Sequence, residues 1–470
     1  MRVRVWSPLP PAKTGVAHYT SMLLPELAKA VDLVPPTTDD RPPATAVYQL
    51  GNNPFHEPMY REAMRTPGIA VLHDLVLHHL IVEMTLARGD VDGYVASLRA
   101  SHGEEGAAWA IGRAHGLHSE MGNFLLPASV EVAQRSLAVI VHNHYAANRL
   151  RSFGVTTPIH VVPHPYVPET RSFERDALRA RHRFTREHRV IGFFGFLTSA
   201  KRADVVLEAF RIARERNPNL ALLVVGEPSP NIDVAQLQRD GITMTGYVAD
   251  DEFPAYYAVA DRFVNLRYPS AGETSGTLIR ALDSGKPVAV SDYAQFAEFP
   301  DDCVFKVPLG AGEVERLVEF FTSDLPDPSA AQRAWLEKNA TLGKTVAGYL
   351  RALQDGARET AAPRPATIPL FPQLECVSAD ASVRIAVRNV GPSTIRTRTY
   401  GTPEYRLIVK LFDGERQIQD RWLALPGDLL PGETTELTFA PLGQPTRLRL
   451  YHALQDVPML EPDAWEVVDV

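Results

Sequence analysis

The chain has few of the residues and patterns that define several common protein classes. Only two cysteines, Cys303 and Cys376, occur among 470 residues, which argues against a disulfide framework and a cysteine-rich zinc site. There is no HExxH pattern, no apolar run of membrane-spanning length and no signal-peptide core in MRVRVWSPLPP. A formal charge of −8 argues against a dedicated nucleic-acid binder. We therefore expect a cytoplasmic protein, free or peripheral to the membrane, with no metal, nucleic-acid partner or transmembrane segment.

The residues that are present are typical of a globular protein. Of the 470 residues, 45% are hydrophobic and 22% are charged, which is enough for two or three domains with cores of their own. Lysine is scarce, with eight lysines against forty arginines. A lysine at a loop-to-helix turn, such as Lys201, is therefore a candidate site residue.

The stretch 265–292, NLRYPSAGETSGTLIRALDSGKPVAVSD, predicts an anion-binding site. A loop rich in Gly, Ser and Thr leads directly into a helix with one apolar face. Small residues let a ligand approach the backbone closely. The free N–H groups of the first helical turn, at Ser275, Gly276 and Thr277, carry the positive end of the helix dipole.

Residues 1–168 predict a first α/β domain. Short strands alternate with helices, and a buried strand at 69–72 ends at His73. Because ligands of open α/β sheets bind at the carboxyl ends of strands, His73 is placed like a functional residue. Gly15 directly precedes the first helix, and residues 80–135 predict a helical insertion over the cleft.

Residues 169–357 predict a second α/β domain, which begins with a strand, a loop containing Lys201, and a helix. The helix dipole repels a cation in the first turn unless an anion is bound there, so Lys201 also indicates an anion site. The domain is predicted to end in a long helix over 327–357.

The remaining residues follow a different pattern. Residues 358–369 are rich in Pro and Ala and predict a linker. Residues 370–470 contain segments that alternate with period two between DG and PG turn signals, which predicts an immunoglobulin-like β-sandwich. Trp422 and Tyr451 are expected to fill its core.

The stretch 265–292 resembles the retaining glycosyltransferases of family 4 (group 1). These enzymes carry a loop that begins with Glu, a second Glu eight positions later on the helix, and then Gly-Lys-Pro-Val. Aligning that last motif with residues 285–288 puts Gly272 at the first acidic position, with Glu273 one step late, and Arg280 at the second. The spacing of the motif therefore matches, but neither of the two positions that are acidic in the family holds a carboxylate in this chain.

A second motif of the same family lies at the start of the second domain. Family members carry an Arg two residues after the first strand and a Lys five residues later, and both neutralise the diphosphate of the donor. Lys201 matches the Lys, whereas Phe196 stands where the Arg is expected. The resemblance covers about residues 1–357.

The resemblance implies the GT-B fold, in which two Rossmann-like domains face a cleft and the last helix crosses back to the first domain. It implies a hexosyl transfer from a nucleotide-diphosphate sugar to a glycan or lipid-linked acceptor, with retention of configuration and no cofactor. A Lys and a helix N-terminus can take the leaving-group charge that a metal takes elsewhere. The implied catalytic residues are His73, Glu273 and Lys201. The implied donor-binding residues are Gly15, Lys201, Arg202, Ser275, Gly276, Thr277 and Arg280.

Two other functions are compatible with the sequence. A sugar-nucleotide 2-epimerase of the same fold would need a carboxylate general base that faces C2 of the sugar. A non-catalytic glycan-binding or assembly protein is favoured by the missing Arg and the missing second Glu.

Overall fold

The computed structural model describes residues 1–12, 14–36, 44–229, 240–249, 251–356, 371–379, 382–391, 394–399, 402–454, 457–458 and 466–469. The linker predicted at 358–369 lies outside these residues. Within them, none of the helices combines the length and the apolar character that crossing a membrane requires.

A six-stranded parallel sheet forms the core of the first domain. Its central strands read IAVL and AVIV and are buried on both faces, as in sheets covered by helices on each side. The strand order is β2-β1-β3-β4-β5-β6. The strands are β1 Arg2–Trp6, β2 Asp32–Val34, β3 Thr45–Leu50, β4 Ile69–Leu72, β5 Ala138–Val141 and β6 Ile159–Val161.

Seven described helices accompany this sheet, and four of them lie in one continuous stretch between β4 and β5. That stretch is the helical insertion that the sequence predicts. The helices are α1 Gly15–Leu27, α2 Glu57–Arg65, α3 His78–Met84, α4 Val91–Ala114, α5 Glu120–Leu125, α6 Val130–Arg135 and α7 His144–Ser152.

The second domain contains another parallel sheet of six strands. Its strand order is β12-β11-β10-β7-β8-β9. Strands β8 and β9 lie on one side of β7 and strands β10 to β12 lie on the other, so the order of addition switches sides between β7 and β10, as in the Rossmann fold. Ligands of such sheets bind at that switch point. The strands are β7 Arg189–Phe194, β8 Leu220–Val225, β9 Ile242–Met244, β10 Arg262–Asn265, β11 Val288–Ser291 and β12 Phe305–Val307.

The helices of the second domain include the pair that the sequence predicts as one. Instead of a continuous helix over 327–357, the chain forms two helices separated at Ala340 and Thr341. Thr341 caps the second helix, because its side chain accepts a hydrogen bond from the Lys344 N–H. The described helices are α8 Arg175–Arg181, α9 Ala203–Arg216, α10 Phe253–Val259, α11 Gly276–Asp283, α12 Glu313–Thr322, α13 Ser329–Asn339 and α14 Leu342–Asp355.

The break between α13 and α14 is where the chain crosses back to the first domain. The Tyr166 N–H donates to the Ala340 carbonyl oxygen at 2.6 Å, so the two chain crossings between the domains lie side by side. Beyond the break, Tyr349 is fully buried in a core cluster with residues of the first domain. Its hydroxyl lies 3.0 Å from that of Tyr19. The last helix is therefore part of the first domain, and the GT-B architecture is confirmed.

The described C-terminal residues form a β-sandwich whose two larger antiparallel sheets are ordered β13-β14-β19 and β18-β17-β20-β21, with β22 also paired to β20. A small two-stranded sheet, β15-β16, accompanies them. The expectation that Trp422 and Tyr451 fill the sandwich core is wrong. Tyr451 is buried, but in a small cluster with Ile408 and Ala453 that is separate from that core, and Trp422 is 41% exposed. The strands are β13 Gln373–Ala379, β14 Val383–Arg388, β15 Arg398–Thr399, β16 Thr402–Pro403, β17 Tyr405–Asp413, β18 Arg416–Ala424, β19 Thr434–Phe439, β20 Arg447–Leu454, β21 Val457–Pro458 and β22 Glu466–Asp469.

The β-sandwich contacts the loop of the second domain that precedes α11. The Tyr268 hydroxyl donates to Glu404 Oε2 at 2.6 Å, and Glu404 is only 4% exposed. The guanidinium carbon of Arg396 lies 5.6 Å from the centre of the Tyr268 ring and 5.4 Å from that of Tyr293. A hydrogen bond to a buried carboxylate is costly to leave unmade, so this contact couples the sandwich to the loop.

We predict that Tyr268 and Glu404 are energetically coupled. Tyr268→Phe and Glu404→Gln should each lower the thermal midpoint, because each weakens a buried charge-assisted hydrogen bond worth about 1–3 kcal/mol. The double variant should lose less than the sum of the two, as expected for residues in contact. Thermal unfolding of all four proteins measures this.

Tyr405→Phe provides the matched control, since the Tyr405 hydroxyl lies 2.7 Å from His452 Nδ1 inside the sandwich. Its effect should add to that of Tyr268→Phe. Simple additivity between Tyr268→Phe and Glu404→Gln would contradict the coupling.

Candidate active site

A cavity of about 2000 Å³ lies between the two α/β domains. This volume exceeds that of pockets for drug-sized ligands, so the cavity has room for a donor and part of an acceptor. All but one of the sequence-predicted site residues line it: Gly15, His73, Lys201, Glu273, Ser275, Gly276, Thr277 and Arg280. In the part of the chain that is described, no cluster of three or more His, Cys, Asp or Glu side chains is arranged to hold a metal ion.

The start of α11 faces the cavity and is organised by the end of β10. Asn265 Nδ2 donates to Ser275 Oγ at 2.9 Å and lies 3.3 Å from Thr277 Oγ1. Ser275 Oγ in turn accepts from the Leu278 N–H and caps the helix. A Cβ built on Gly276 would have no atom within 4 Å, so the backbone there is open to a ligand. The geometry fits an anion at the helix N-terminus.

The loop before α11 explains why the acidic residue of the family is displaced by one position. Gly272 has φ +74°, and a Cβ there would lie 2.7 Å from the Leu75 Cβ of the first domain. Asn143 Nδ2 also donates to the Gly272 carbonyl oxygen at 2.8 Å. No side chain fits at Gly272 without moving the domains apart, so the first acidic residue of the family motif has no room at this position.

Glu273 forms an ion pair that the sequence did not predict. Its Oε1 lies 2.6 Å from Arg267 Nε, and Arg267 lines the same cavity. Ser270 Oγ donates to Glu273 Oε2 at 3.3 Å, and Gln295 Nε2 donates to the Glu273 carbonyl oxygen at 2.7 Å. The only sequence signal for Arg267 was its place just beyond the end of β10.

Lys201 is a buried basic side chain beside this pair. Its Nζ donates to the Phe194 carbonyl oxygen at 2.5 Å. Burial and then the positive charge of Arg267 hold the pKa of Lys201 well below its usual range, against the opposite effect of Glu273. Gly195, at φ +83°, leaves room for the ammonium, since a Cβ there would lie 2.7 Å from Nζ. An anion in the cavity would favour the charged form of Lys201.

Arg202 is the predicted donor-binding residue that does not line the cavity. It adopts the left-handed conformation, with φ +59°, and its side chain turns away from Lys201. Its guanidinium pairs with the buried Glu313 at 3.0 and 2.6 Å. The expected contact with the donor is therefore not supported by the structure, because Arg202 is held in a buried ion pair elsewhere.

Arg280 lines the cavity on α11, between the two domains. Its guanidinium carbon lies 5.7 Å from the centre of the Phe253 ring, and its Nη2 lies 3.5 Å from His18 Nε2 of the first domain. The hydrogen-bonded guanidinium of Arg171 lowers the pKa of Glu169 to about 2, and the positive charge of Arg280 makes a small further contribution. Arg280 is thus on the wall of the cleft, and its role toward a donor stays a prediction.

His73 lies within a buried hydrogen-bond network at the wall of the cavity. Its Nε2 lies 2.7 Å from Gln49 Oε1, and its Nδ1 lies 3.2 Å from His142 Nε2. The amide of Gln49 continues to the Tyr349 hydroxyl at 3.0 Å. The network therefore joins strands of the first domain to the returning helix α14.

The protonation states in this network follow from the hydrogen bond between His142 and the Val162 carbonyl oxygen. His142 Nδ1 lies 2.7 Å from the Val162 carbonyl oxygen, which can only accept, so this nitrogen carries a proton. Burial lowers the pKa of both histidines, that of His142 to about 4. Neutral His142 can then only accept at Nε2. Neutral His73 has a single N–H, which can donate either to His142 Nε2 or to Gln49 Oε1 but not to both. Both ring nitrogens of His73 lie within hydrogen-bonding distance of protein groups, which favours a positioning role over proton transfer.

Asp74 is a further cavity residue to which sequence reasoning assigned no role. Burial, followed by the charge of Glu273, raises the pKa of Asp74 to about 7, while the Asn52 N–H donates to Oδ2 at 2.8 Å and opposes the shift. Asp74 and Glu273 come from different domains. The cavity therefore contains a carboxyl group that is close to half-protonated at neutral pH.

A comparison with protein families assigns the second domain. Residues 188–319 match the family model described as glycosyl transferases group 1. This part of the chain is a group 1 glycosyltransferase domain. The matched residues include Lys201, Arg267, Glu273 and the whole of α11.

Individual relatives match over 150 and 282 residues. Mannosylfructose-phosphate synthase of Agrobacterium fabrum is 33% identical over 150 residues, which cover 28% of this chain and 32% of that protein. The chain thus spans about a third of that relative. A GDP-mannose-dependent alpha-(1-6)-phosphatidylinositol monomannoside mannosyltransferase of Mycobacterium tuberculosis is 26% identical over 282 residues, or 54% of this chain and 72% of that protein.

Solved structures are similar in outline. Anabaena Alr3699/HepE in complex with UDP has 13% identity and a TM-score of 0.49, with 75% of this chain and 99% of that chain covered. The GT-B assignment of the present chain follows from its two parallel sheets and its returning helix.

We predict that binding of a nucleoside diphosphate causes Lys201 to take up a proton. The empty site lowers the pKa of Lys201 and a bound anion raises it, so affinity should fall as pH rises through the pKa of the empty site. Calorimetry with GDP and UDP in buffers of different ionisation enthalpy measures the uptake. It should vanish in Lys201→Met, and equal uptake by that variant would disprove the assignment.

We also predict that Asp74 makes stability depend on pH. Its folded pKa of about 7 lies above the unfolded value of about 3.9, so folding takes up a proton between them and stability falls as pH rises through that range. Asp74→Asn should therefore raise the thermal midpoint more at about pH 8 than at about pH 4.5. An equal shift at both pH values would show that the carboxyl is not protonated by folding.

Proposed function

We propose that the protein is a retaining glycosyltransferase that takes a sugar from a nucleotide-diphosphate donor. The observation that carries the proposal is the convergence of Lys201 and the N-terminus of α11 on one cavity between two Rossmann-like domains. Both are suited to the negative charge that develops on a departing diphosphate. The group 1 match of residues 188–319 supports the same reaction class.

In the proposed reaction, the bond between the sugar C1 and the β-phosphate oxygen breaks while the acceptor oxygen bonds to C1 on the same face. The acceptor proton passes to the departing phosphate oxygen. Lys201 and the first-turn N–H groups near Gly276 stabilise the diphosphate. Metal independence is part of the proposal, because these groups supply the positive charge. Glu273 offers a carboxylate to sugar hydroxyls, and the hydrogen-bonded ring of His73 shapes the wall opposite.

Mannose is the first donor sugar to test. The names of both matched relatives specify mannosyl chemistry, and one of them specifies GDP-mannose. The acceptor is proposed only by class, as a glycan or lipid-linked hydroxyl. The cytoplasmic location expected from the sequence likewise stays a prediction.

A sugar-nucleotide epimerase is the second candidate. Two carboxyl groups, Asp74 and Glu273, face the cavity, and the pKa of Asp74 near 7 suits a general acid or base. Incubation with the donor alone distinguishes the two functions. Conversion to a changed sugar with release of nucleotide would favour the epimerase, whereas a requirement for an acceptor favours the transferase.

The test begins with a donor screen by thermal shift. A ligand at 100 times its dissociation constant should add about 2.7 kcal/mol to the folded state. With the identified donor, Lys201→Met should reduce kcat by about 10²–10³-fold, the cost of losing one preorganised electrostatic partner. Lys29→Met is the control, because Lys29 is exposed, pairs with Glu26 and lies outside the cavity. Unchanged turnover in Lys201→Met would remove Lys201 from the site.

A further inference from the structure

The chain lacks the arginine that the family resemblance implies as the second cation for the diphosphate. Phe196 occupies that position, and its side chain is 64% exposed at the cavity. A phenylalanine cannot neutralise a phosphate. The donor site therefore requires positive charge from another element, or it binds the diphosphate with Lys201 and the helix N-terminus alone.

Arg267 is positioned next to Lys201 by main-chain hydrogen bonds. The Tyr268 N–H donates to the Ala200 carbonyl oxygen at 2.7 Å, which joins the loop of Arg267 to the loop of Lys201. The Arg267 N–H donates to Ser291 Oγ at 2.9 Å, at the end of β11. Both side chains line the cavity, and Arg267 is close enough to lower the pKa of Lys201.

The partner of Arg267 in the empty cavity is the displaced carboxylate. The side chains of Arg267 and Glu273 are 13% and 20% exposed, and their ion pair is 2.6 Å long. A guanidinium has five N–H donors, and one pair with Glu273 Oε1 uses only part of this capacity. Arg267 can thus bind a second anion, or exchange the first for it.

We propose that Arg267 is the second diphosphate-binding cation of this enzyme and that donor binding draws it from Glu273. The released Glu273 carboxylate accepts hydrogen bonds from sugar hydroxyls, so recognition of the phosphates and of the sugar are linked through one ion pair. The role of Glu273 toward the sugar rests on the proposed function, whereas the binding of phosphates by Arg267 does not. It assigns to Arg267 the charge that is missing at Phe196.

The competing explanation is that the Arg267–Glu273 pair only stiffens the loop before α11. In that case both partners contribute to loop shape, and removing either one would weaken anion binding similarly. Under our proposal they have opposite effects, because Glu273 competes with the phosphates for Arg267.

The test uses inorganic pyrophosphate, which has no base and no sugar, titrated calorimetrically in buffer without divalent cations. Arg267→Met should weaken its binding by about 10- to 100-fold, the range for one charge-assisted contact. Arg267→Lys should retain most of the affinity, and Glu273→Gln should increase it. Arg171→Met is the control, since Arg171 also lines the cavity but pairs with Glu169.

Three results would overturn the inference. The first is pyrophosphate affinity in Arg267→Met within twofold of wild type, and the second is no binding by wild type at all. The third is a loss in Glu273→Gln equal to that in Arg267→Met, which is the signature of a structural pair. The double variant Arg267→Met/Glu273→Gln keeps the loop free of an unpaired charge and should still bind pyrophosphate weakly.

The proposed function can fail separately. Arg267-dependent pyrophosphate binding without turnover of any sugar nucleotide would leave the anion site intact and remove the transferase. Sugar transfer by the wild type, with pyrophosphate affinity unaffected in Arg267→Met, would remove only the role of Arg267.

Discussion

The cavity is built around two basic side chains, Lys201 and Arg267, whose positive charges disfavour each other. Lys201 and Arg267 approach closely enough for Arg267 to disfavour the charged form of Lys201, and burial acts in the same direction. In the empty cavity the fold compensates with the Glu273 carboxylate and the Phe194 carbonyl oxygen. A diphosphate would interact favourably with both positive charges at once. Relief of the repulsion between Lys201 and Arg267 is therefore a physical source of affinity. The neutral histidines below the cavity add no further positive charge.

Interdomain contacts fix the loop that holds this arrangement. Gly272 packs against Leu75 of the first domain, and the Val76 N–H donates to the Ala271 carbonyl oxygen at 3.0 Å. The shape of the loop thus depends on how closely the domains approach each other. Because Glu273 follows directly, opening of the cleft would move the carboxylate relative to Asp74. Domain approach and the electrostatics of the cavity are therefore coupled.

The fold could be predicted from the sequence because periodicity and turn signals are local. The helix N-terminus at Ser275 and the position of Lys201 were local signals too. Arg267 could not be found in this way, since its role depends on two loops that meet through Tyr268. The ion pair of Arg202 with Glu313 could not be predicted either, since Glu313 is distant in sequence and a left-handed backbone is unusual for an arginine. The helix break at Ala340 was missed because the apolar pattern continues across it.

The β-sandwich is more than an appended unit, because it contacts the loop that carries Arg267. Tyr268, which hydrogen-bonds Glu404 of the sandwich, is the residue after Arg267. The same tyrosine uses its main-chain N–H to join the Lys201 loop. Its side chain and its backbone thus link the sandwich to both cations of the cavity. A buried carboxylate is costly to maintain without a partner, so the contact holds the loop in one geometry. The sandwich therefore helps to fix the loop that carries Arg267, although it supplies no described residue to the cavity wall.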